Sequence, residues 1–555
     1  MRVIVIVLGV LGLTGAFTAQ MLRWLRTLQR EHYEPRSMHR FLGRWSSPQV
    51  SLVSRAKARG GLAAQSPRSS QPPKVIRSFQ GRTPVKVDHS IVEGHAPRRP
   101  ITLSHVLLVA LVVTAVLHKD VLVVITSILY GLLCPWGLSI KGRTSALHWT
   151  RRLTTIALVA TAASLAAALL GILSVRSWYL AVAVVWAVPM ILQLTTRALT
   201  PFEERRAQTF VDQASARLTR VAPRVVAITG SYGKTSTKNH LLDLVRDDGG
   251  VVASPRSFNN RAGLSRTINE NLADGTKVFI AEMGTYGPGE IRNLCSWCVP
   301  EIAVVTAIGP VHLERMKSLA VVEQAKFEIT ERAHTVVLNV DDVRLARWSE
   351  RLGAKHVRTA GSVSTSASVR VVVGASWTLI VDGVTIGSFD APLGVQATNL
   401  ACAVAVALEL GVTTEHLRTR VASVSAIENR SNVVTAPSGV VVIDDTFNAN
   451  PASALAALTT LSSMALEGRR VVVTPGLIEL GADQYGENLS LAKKISFNDV
   501  ELVIVGRTNA VALQFGYDRP ARRFNTRDDA VEWVRSALVP GDGVLYLNDL
   551  PDHYP

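Results

Sequence analysis

The fold is decided by the stretch Val225-Val226-Ala227-Ile228-Thr229-Gly230-Ser231-Tyr232-Gly233-Lys234-Thr235-Ser236-Thr237. Its first four residues form an apolar, β-branched run that predicts a buried strand. The glycine-rich residues that follow predict a tight loop, and residues 238–245 continue with a helical pattern. Strand, loop and helix in this order predict an α/β domain whose loop can bind phosphate.

The chemistry of this loop follows from its residue types. Glycines let backbone N–H groups approach phosphate oxygens, and the N-terminus of the helix adds its dipole. Lys234 can reach the outer phosphates, and the hydroxyl of Thr235 or Ser236 can bind Mg²⁺. The standard GxxxxGK[ST] pattern is not met, because Ile228 stands where the first glycine would be. A bare GxxGKTS match can be a chance turn, so the rest of the chain has to decide.

Short β-branched runs followed by helical stretches continue to the end of the chain, which is typical of an α/β fold with a mainly parallel sheet. We predict a central nucleotide-binding domain over residues 201–425 and a smaller C-terminal Rossmann-like domain over residues 426–555. The strands predicted for the second domain are Val440–Ile443, Arg470–Val473, Leu502–Val505 and Val544–Leu547.

The first 200 residues have a different composition. The whole chain has 555 residues, of which 48% are hydrophobic and only 19% charged, which is unusual for a purely soluble enzyme. Five stretches lack Asp, Glu, Lys and Arg: Val3–Leu22, Pro100–His118, Val121–Ile140, Leu153–Val175 and Ser177–Thr196. Because a helix needs roughly 20 apolar residues to cross a bilayer, residues 1–200 are predicted to be a membrane region of about five transmembrane helices. The alternatives are buried helices of a soluble core and, for the first stretch, a secretory signal.

Charge gives the predicted orientation. The chain carries a formal net charge of +17. Most of this charge lies in residues 23–100, which contain sixteen Lys or Arg but only four Asp or Glu. Basic loops stay on the cytoplasmic side, so residues 23–100 are predicted to be a cytoplasmic linker near anionic membrane lipid. The protein is then expected in the plasma membrane of a bacterium as a multi-pass protein with cytoplasmic catalytic domains. Nucleic acid is not expected as a partner, because no groove-reading motif accompanies the basic residues.

Further motifs follow the loop in a fixed order, and together they resemble the Mur ligases, above all the branch that adds D-alanyl-D-alanine. The family's phosphate loop reads T-G-x-x-G-K-T-[ST]. The similar segments are Ser257-Phe258-Asn259-Asn260-Arg261-Ala262-Gly263, Glu282-Met283-Gly284, Pro288-Gly289-Glu290-Ile291, Ala307-Ile308-Gly309-Pro310-Val311-His312-Leu313-Glu314, Ala325-Lys326-Phe327-Glu328, Asn339-Val340-Asp341-Asp342, Asn399, Arg430 and Asp444-Asp445-Thr446-Phe447-Asn448-Ala449-Asn450-Pro451.

The resemblance implies an ATP-dependent acid:amino-acid ligase that forms an amide bond through an acyl phosphate, with ATP and Mg²⁺ as cofactors. The catalytic set would be Lys234, Glu282, His312 and Lys326. The metal would be held by Thr235, Glu282, His312 and Lys326, the lysine being carbamylated in most members. ATP would be bound by Gly230, Ser231, Gly233, Lys234, Thr235, Ser236, Asn399, Arg430, Asp445 and Asn448. The partners would be a carboxylate acceptor and an amine, either an amino acid or a dipeptide.

Two departures put the acceptor in doubt more than the reaction. The cytoplasmic D-alanyl-D-alanine-adding enzymes begin with a soluble domain that binds uridine diphosphate, whereas this chain begins with apolar stretches. The second departure is in Thr474-Pro475-Gly476. At the position of Thr474-Pro475 the family usually has an aspartate, just after its glycine. The expected role is peptidoglycan precursor synthesis. The open alternatives are a membrane-associated ligase that makes a polymer or lipid-linked amide such as poly-γ-glutamate, and a catalytically silent ATP-binding scaffold.

Overall fold

The structure is a computed structural model. It describes residues 2–30, 33, 103–116, 120–134, 138, 147–174, 179–246, 249–255, 258–353, 355–392, 395–424, 432–446 and 450–548. The chain divides into two compact units, residues 1–200 with 551–555, and residues 201–550. Most of the predicted basic linker, from residue 34 onward, lies outside the described residues.

The first unit is helical where it is described. Its helices are α1 (Arg2–Arg30), α2 (Leu103–Val116), α3 (Asp120–Leu133), α4 (Arg151–Ser174) and the first part of α5 (Tyr179–Val221). Trp24 and Leu28 of α1 pack with Leu153 of α4 and Leu192 of α5 in one apolar cluster.

The predicted five transmembrane helices are not confirmed. Each apolar stretch contains a helix, but in the described part of the chain only Arg151–Gly171 and Tyr179–Val221 are long and apolar enough to cross a membrane. The helices within the second and third stretches have 14 residues each, short of the roughly 20 that a crossing needs. Two such helices are weak evidence, because core helices of soluble proteins pass the same test.

The second unit contains a nine-stranded sheet in the order β2-β3-β1-β4-β5-β6-β7-β8-β9. Strands β1 to β7 are parallel, each pairing with its neighbours in this order, and β8 and β9 add an antiparallel hairpin. The strands are β1 (Arg224–Thr229), β2 (Val251–Ala253), β3 (Val278–Glu282), β4 (Ile302–Val305), β5 (Thr335–Asn339), β6 (His356–Gly361), β7 (Val369–Val372), β8 (Trp377–Val381) and β9 (Val384–Phe389).

Helices cover both faces of this sheet. They are α6 (Lys234–Val245), α7 (Arg261–Asn271), α8 (Glu290–Trp297), α9 (Leu313–Met316), α10 (Leu319–Phe327), α11 (Val343–Arg351), α12 (Ala397–Glu409) and α13 (Thr414–Arg420). Val226 and Ile228 of β1 face a core with α6 and α12, whereas Val225 and Ala227 face a core with α7 and α8. Alternate residues of one strand thus build two cores, as expected for a sheet buried on both sides.

The topology puts the glycine-rich loop at a switch point. β1 pairs with β3 on one side and β4 on the other. The connection after β1 runs to β2 on one side, whereas the connection after β4 runs to β5 on the other. In parallel α/β sheets ligands bind at such a point, outside the carboxyl ends of the strands. The loop after β1 therefore lies where a ligand site is expected.

A six-stranded sheet in the order β10-β11-β15-β12-β13-β14 forms the rest of the second unit. Its strands are β10 (Asn432–Thr435), β11 (Val441–Asp445), β12 (Arg470–Thr474), β13 (Glu501–Val505), β14 (Arg522–Phe524) and β15 (Gly543–Leu547). Its helices are α14 (Pro451–Ser463), α15 (Gln484–Phe497), α16 (Ala510–Gly516) and α17 (Arg527–Ala537). The predicted α/β fold is confirmed.

Candidate active site

The loop after β1 has backbone geometry that only glycine adopts easily. Gly233 caps the start of α6 with φ +78°, in the left-handed region. A Cβ atom there would lie 2.3 Å from Oδ1 of Asn399. The amide of Asn399 therefore packs directly on the loop, although the two residues are far apart in sequence.

Hydrogen bonds hold the loop in shape. The ammonium of Lys234 donates to the carbonyl oxygen of Gly230 over 2.8 Å. The N–H of Ser231 donates to the carbonyl of Ala307 at 2.7 Å, and the N–H of Gly309 donates to the Ser231 hydroxyl at 2.9 Å. The loop is thus tied to the segment that follows β4, at the carboxyl edge of the sheet.

Glu282 ends β3 beside the loop and is buried among donors. Thr235 Oγ1 donates to Glu282 Oε2 at 2.9 Å, and Lys238 Nζ donates to the same oxygen at 3.2 Å. Asn259 Nδ2 donates to the other oxygen, Oε1, at 3.2 Å. The side chains of Lys238 and Glu282 are 2% and 3% exposed, so this ion pair is shielded from water.

These donors decide the charge of Glu282. Burial alone would raise the pKa of its carboxyl, but Lys238, Lys234 and the hydrogen bonds from Asn259 and Thr235 together hold that pKa below its ordinary value. Glu282 is therefore a carboxylate at neutral pH, as a metal ligand must be.

Two of the predicted metal ligands fit Mg²⁺. The 2.9 Å between Thr235 Oγ1 and Glu282 Oε2 matches the roughly 2.9 Å between neighbouring oxygens around Mg²⁺ with bonds of about 2.0–2.1 Å at right angles. Hydroxyl and carboxylate oxygens are the donors that this hard cation prefers. Among the residues that the structure describes, no three His, Cys, Asp or Glu side chains are grouped to hold one metal ion.

His312 makes a different contact from the one predicted. Its Nδ1 lies 2.6 Å from Oε2 of Glu479, and the N–H of Leu313 donates to the carbonyl of Glu479 at 2.9 Å. His312 and Glu479 both have positive φ, +52° and +62°. His312 follows β4 of the nine-stranded sheet, and Glu479 follows β12 of the six-stranded sheet. This contact therefore joins a loop of one sheet to a loop of the other. A metal-binding role for His312 stays a prediction.

Lys326 lies on α10 and is 2% exposed. Burial, and secondarily repulsion from Lys234, hold its pKa well below the ordinary lysine value. The ammonium of Lys326 therefore loses its proton more readily than that of a solvated lysine on a helix surface. None of the hydrogen bonds between described residues assigns Lys326 a role, so its predicted role as a carbamylated metal ligand also stays a prediction.

A cavity of about 300 Å³ brings other predicted residues together. Gly233, Ser236, Asn399 and Asp445 all line it. Its remaining walls are formed by Tyr232, His240, Thr306, Ala307, Asn339, Gln396, Thr398, Asn450, Ala452 and Ser453. Arg430 and Asn448, also predicted to bind ATP, lie outside the described residues.

The sequence interpretation overlooked Lys238 and His240. Lys238 follows Lys234 by four residues on α6, so the two lie on neighbouring turns of one helix face. This four-residue spacing could have identified Lys238 in the sequence, because a second buried lysine beside Glu282 has to lie on the same face of α6 as Lys234. His240 had no such signal, because it stands in no motif.

Breaking the buried pair is expected to destabilise the second unit. Glu282→Gln leaves the ammonium of Lys238 buried without its counter-charge, which costs about 3–5 kcal/mol of unfolding free energy. Differential scanning calorimetry of the variant and the parent measures this as a lower unfolding midpoint. The matched control is Glu301→Gln, whose partner Arg224 is 40% exposed, and we expect less than about 1 kcal/mol there. Equal effects of the two substitutions would contradict the account.

Comparison with known proteins gives the family. The sequence model of the Mur ligase middle domain matches residues 228–407, and that of the "Mur ligase, glutamate ligase domain" matches residues 429–547. The UDP-N-acetylmuramoyl-tripeptide--D-alanyl-D-alanine ligase of Mycobacterium tuberculosis is 32% identical over 375 residues, which are 60% of this chain and 71% of that protein. The enzyme of the same name from Escherichia coli is 30% identical over 277 residues, 48% of this chain and 60% of that protein.

Solved structures share the fold. The crystal structure of MurF from Acinetobacter baumannii superposes with a TM-score of 0.55 at 22% identity and covers 62% of this chain and 77% of that one. MurF ligase from Thermotoga maritima in complex with ADP superposes with a TM-score of 0.54 at 23% identity, covering 62% and 80%.

The predicted localisation is wrong. The relatives in the comparison are named UDP-N-acetylmuramoyl-tripeptide--D-alanyl-D-alanine ligases, and only two helices of the described chain pass the length and composition test for a membrane span. The apolar stretches and the basic loops had together predicted a multi-pass protein of the plasma membrane.

The glycine-rich loop, the buried carboxylate beside it and the two domain matches now agree. The relative from Mycobacterium tuberculosis is 32% identical, and the match covers 71% of that protein. We conclude that the chain belongs to the Mur ligase family and is an ATP-dependent ligase that forms amide bonds.

Proposed function

We propose that the chain joins D-alanyl-D-alanine to UDP-N-acetylmuramoyl-tripeptide, with ATP, in peptidoglycan precursor synthesis. The observation that carries the proposal is the 32% identity over 375 residues to ligases with those substrates in their name. The match to the Mur ligase middle domain spans residues 228–407, a range that includes the glycine-rich loop with Lys234 and the strand that ends at Glu282.

The reaction has two steps in this proposal. A carboxylate oxygen of the acceptor attacks the γ-phosphorus of ATP, the bond to the β-phosphate oxygen breaks, and ADP leaves. The amine then attacks the carbonyl carbon of the acyl phosphate, inorganic phosphate leaves, and the amine nitrogen loses a proton. In-line transfer of this kind needs positioning and positive charge more than covalent participation by the protein.

The loop provides the positioning. Backbone N–H groups of residues 232–236 and the ammonium of Lys234 bind the phosphates, and α6 adds the positive end of its dipole. Thr235 and Glu282 would hold Mg²⁺, which would supply positive charge beside the phosphate oxygens. Asn399 and Asp445, both on the cavity wall, contact the adenosine part of ATP.

His312 and Lys326 complete the site in this proposal. Lys326 is buried and its pKa is lowered, so its ammonium loses a proton more readily than that of a solvated lysine. The neutral amine then reacts with carbon dioxide and releases a second proton to form an anionic carbamate. His312 is held at Nδ1 by Glu479, which leaves Nε2 as the ring nitrogen available for a ligand, and a carboxylate in that position is the usual orienting partner of a metal-binding histidine.

We propose the domain division of residues 201–425 and 426–555 for these roles, with residues 1–200 apart from both. The division is supported by the two separate sheets, which end with β9 at Phe389 and begin with β10 at Asn432. Arg430, Asp445 and Asn448 then belong to the C-terminal domain and Lys234 to the central one. ATP is enclosed when the two domains close.

The test measures ADP release by the purified full-length protein with Mg²⁺ and ATP. We expect release that requires both UDP-N-acetylmuramoyl-tripeptide and D-alanyl-D-alanine, and that falls to background when either is left out. L-Glutamate in place of the dipeptide serves as the control amine. ADP release with glutamate and no UDP-linked acceptor would contradict the proposed substrates while leaving the ligase chemistry intact.

A further inference from the structure

His240 is a buried histidine on the wall of the cavity. It lies on α6, six residues after Lys234, and is 2% exposed. Ser236 precedes it by four residues and so lies on the same helix face. Both residues line the cavity, together with Asn399. The imidazole therefore lies at the same cavity as the residues assigned to ATP.

The ring lacks the polar partner that a buried histidine usually has. Its Nδ1 is buried and makes no hydrogen bond to any described residue. Native proteins leave few buried polar atoms unsatisfied, because each costs the desolvation of a donor or acceptor. Burial also lowers the pKa of His240 to about 4, so the ring is neutral at pH 7 with one N–H donor and one acceptor nitrogen.

The distance along α6 indicates which part of a nucleotide lies near the ring. The phosphates bind at the N-terminus of α6, where Lys234 and Gly233 lie. At a rise of 1.5 Å per residue, His240 is roughly 9 Å farther along the helix axis. A nucleotide that extends from the loop into the cavity therefore brings its base, not its phosphates, toward His240. The same cavity is lined by Gln396 and Asn399, and the Asn399 amide donates to the side-chain oxygen of Gln396 at 3.0 Å.

We propose that His240 is a base-contacting residue, whose imidazole hydrogen-bonds an edge of the adenine ring in this cavity. The proposal rests on the proposed function, because it takes the cavity to be the ATP site. Adenine offers acceptor nitrogens and an amino donor at its edges, which a neutral imidazole matches as donor or acceptor. A cationic side chain at this place would carry a charge with no counter-charge from the base.

The experiment compares ADP binding by the full-length protein and His240→Phe, measured by isothermal titration calorimetry at pH 7.5 with Mg²⁺. Phenylalanine keeps a flat ring and removes both hydrogen-bonding atoms. We expect ADP to bind roughly tenfold or more weakly to the variant, whereas binding of inorganic tripolyphosphate is unchanged. His416→Phe, at an exposed histidine on α13, is the matched control and leaves both affinities as they are.

Two ADP analogues identify the contact with the base. One lacks the 6-amino group, and the other has carbon in place of N7. The parent protein is expected to bind at least one of them more weakly than ADP, while His240→Phe no longer distinguishes that analogue from ADP. His240→Asn, which retains a donor and an acceptor, is expected to recover part of the affinity and also serves if the phenylalanine variant fails to fold.

Equal ADP affinity of the parent and His240→Phe would overturn the inference and leave the proposed function intact. Parallel losses for ADP and tripolyphosphate would also overturn it, because they would indicate a general disturbance of the site. If the parent itself binds tripolyphosphate but not ADP, both the inference and the proposed ATP site fail.

Discussion

Lys234→Met is expected to lower ATP-dependent turnover about 10³-fold, near the limit seen when one preorganised charge or donor is removed from a transition state. The ammonium of Lys234 already lies inside the loop, 2.8 Å from the carbonyl oxygen of Gly230. It is therefore fixed before the phosphates arrive and needs no reorganisation during phosphoryl transfer. Methionine preserves the length and apolar stem of the side chain and removes the charge.

The measurement is the steady-state rate of ADP release with both substrates saturating. Lys277→Met is the matched control, because Lys277 is an exposed lysine just before β3, and its substitution should leave the rate unchanged. A Lys234→Met protein with near-parental turnover would show that the loop does not bind the transferred phosphate.

Lys326→Ala is expected to lower turnover by roughly 10²–10³-fold, and short carboxylic acids such as formate or acetate should restore part of it. The physical reason is the lowered pKa of the amine. Lys326 is 2% exposed, and burial and Lys234 hold its pKa well below the ordinary value, which favours the neutral form that can take up carbon dioxide. The carbamate is an anion in the place of a cation, and a free carboxylate can occupy the space left by the deleted side chain.

Carbon-13 NMR with labelled bicarbonate tests the same point without turnover. We expect a carbamate signal from the parent protein that is missing from Lys326→Ala. Lys234→Met is the control for rescue, because added acetate cannot replace a lost cation. Full activity of Lys326→Ala, or no carbamate signal in the parent, would exclude this role for Lys326.

Local pattern was enough to predict the sheet at the site. The apolar run Val225–Ile228 became β1 (Arg224–Thr229), and the predicted strands of the C-terminal domain correspond to β11, β12, β13 and β15. These strands are buried on both faces, so their apolar runs are long and unambiguous. The edge strands β10 and β14 were not predicted, because they have only four and three residues and carry polar side chains.

Long-range pairing was beyond the reach of sequence patterns. His312 meets Glu479 across 167 residues, and no periodicity links the two. Glu282 was recognised from its motif, but its buried partner Lys238 was not, since a lysine in a polar stretch of helix usually lies in solvent. The apolar stretches before residue 200 predicted five transmembrane helices, but in the described part of the chain only two helices are long and apolar enough to cross a membrane.

The most direct test of the account is mass spectrometry of the product made by the purified full-length protein from ATP, Mg²⁺, UDP-N-acetylmuramoyl-tripeptide and D-alanyl-D-alanine. The account predicts a UDP-linked product heavier than the tripeptide substrate by one D-alanyl-D-alanine less water, formed in equal amount with ADP. ATP hydrolysis without that product, or no ATP turnover at all with this substrate pair, would contradict it.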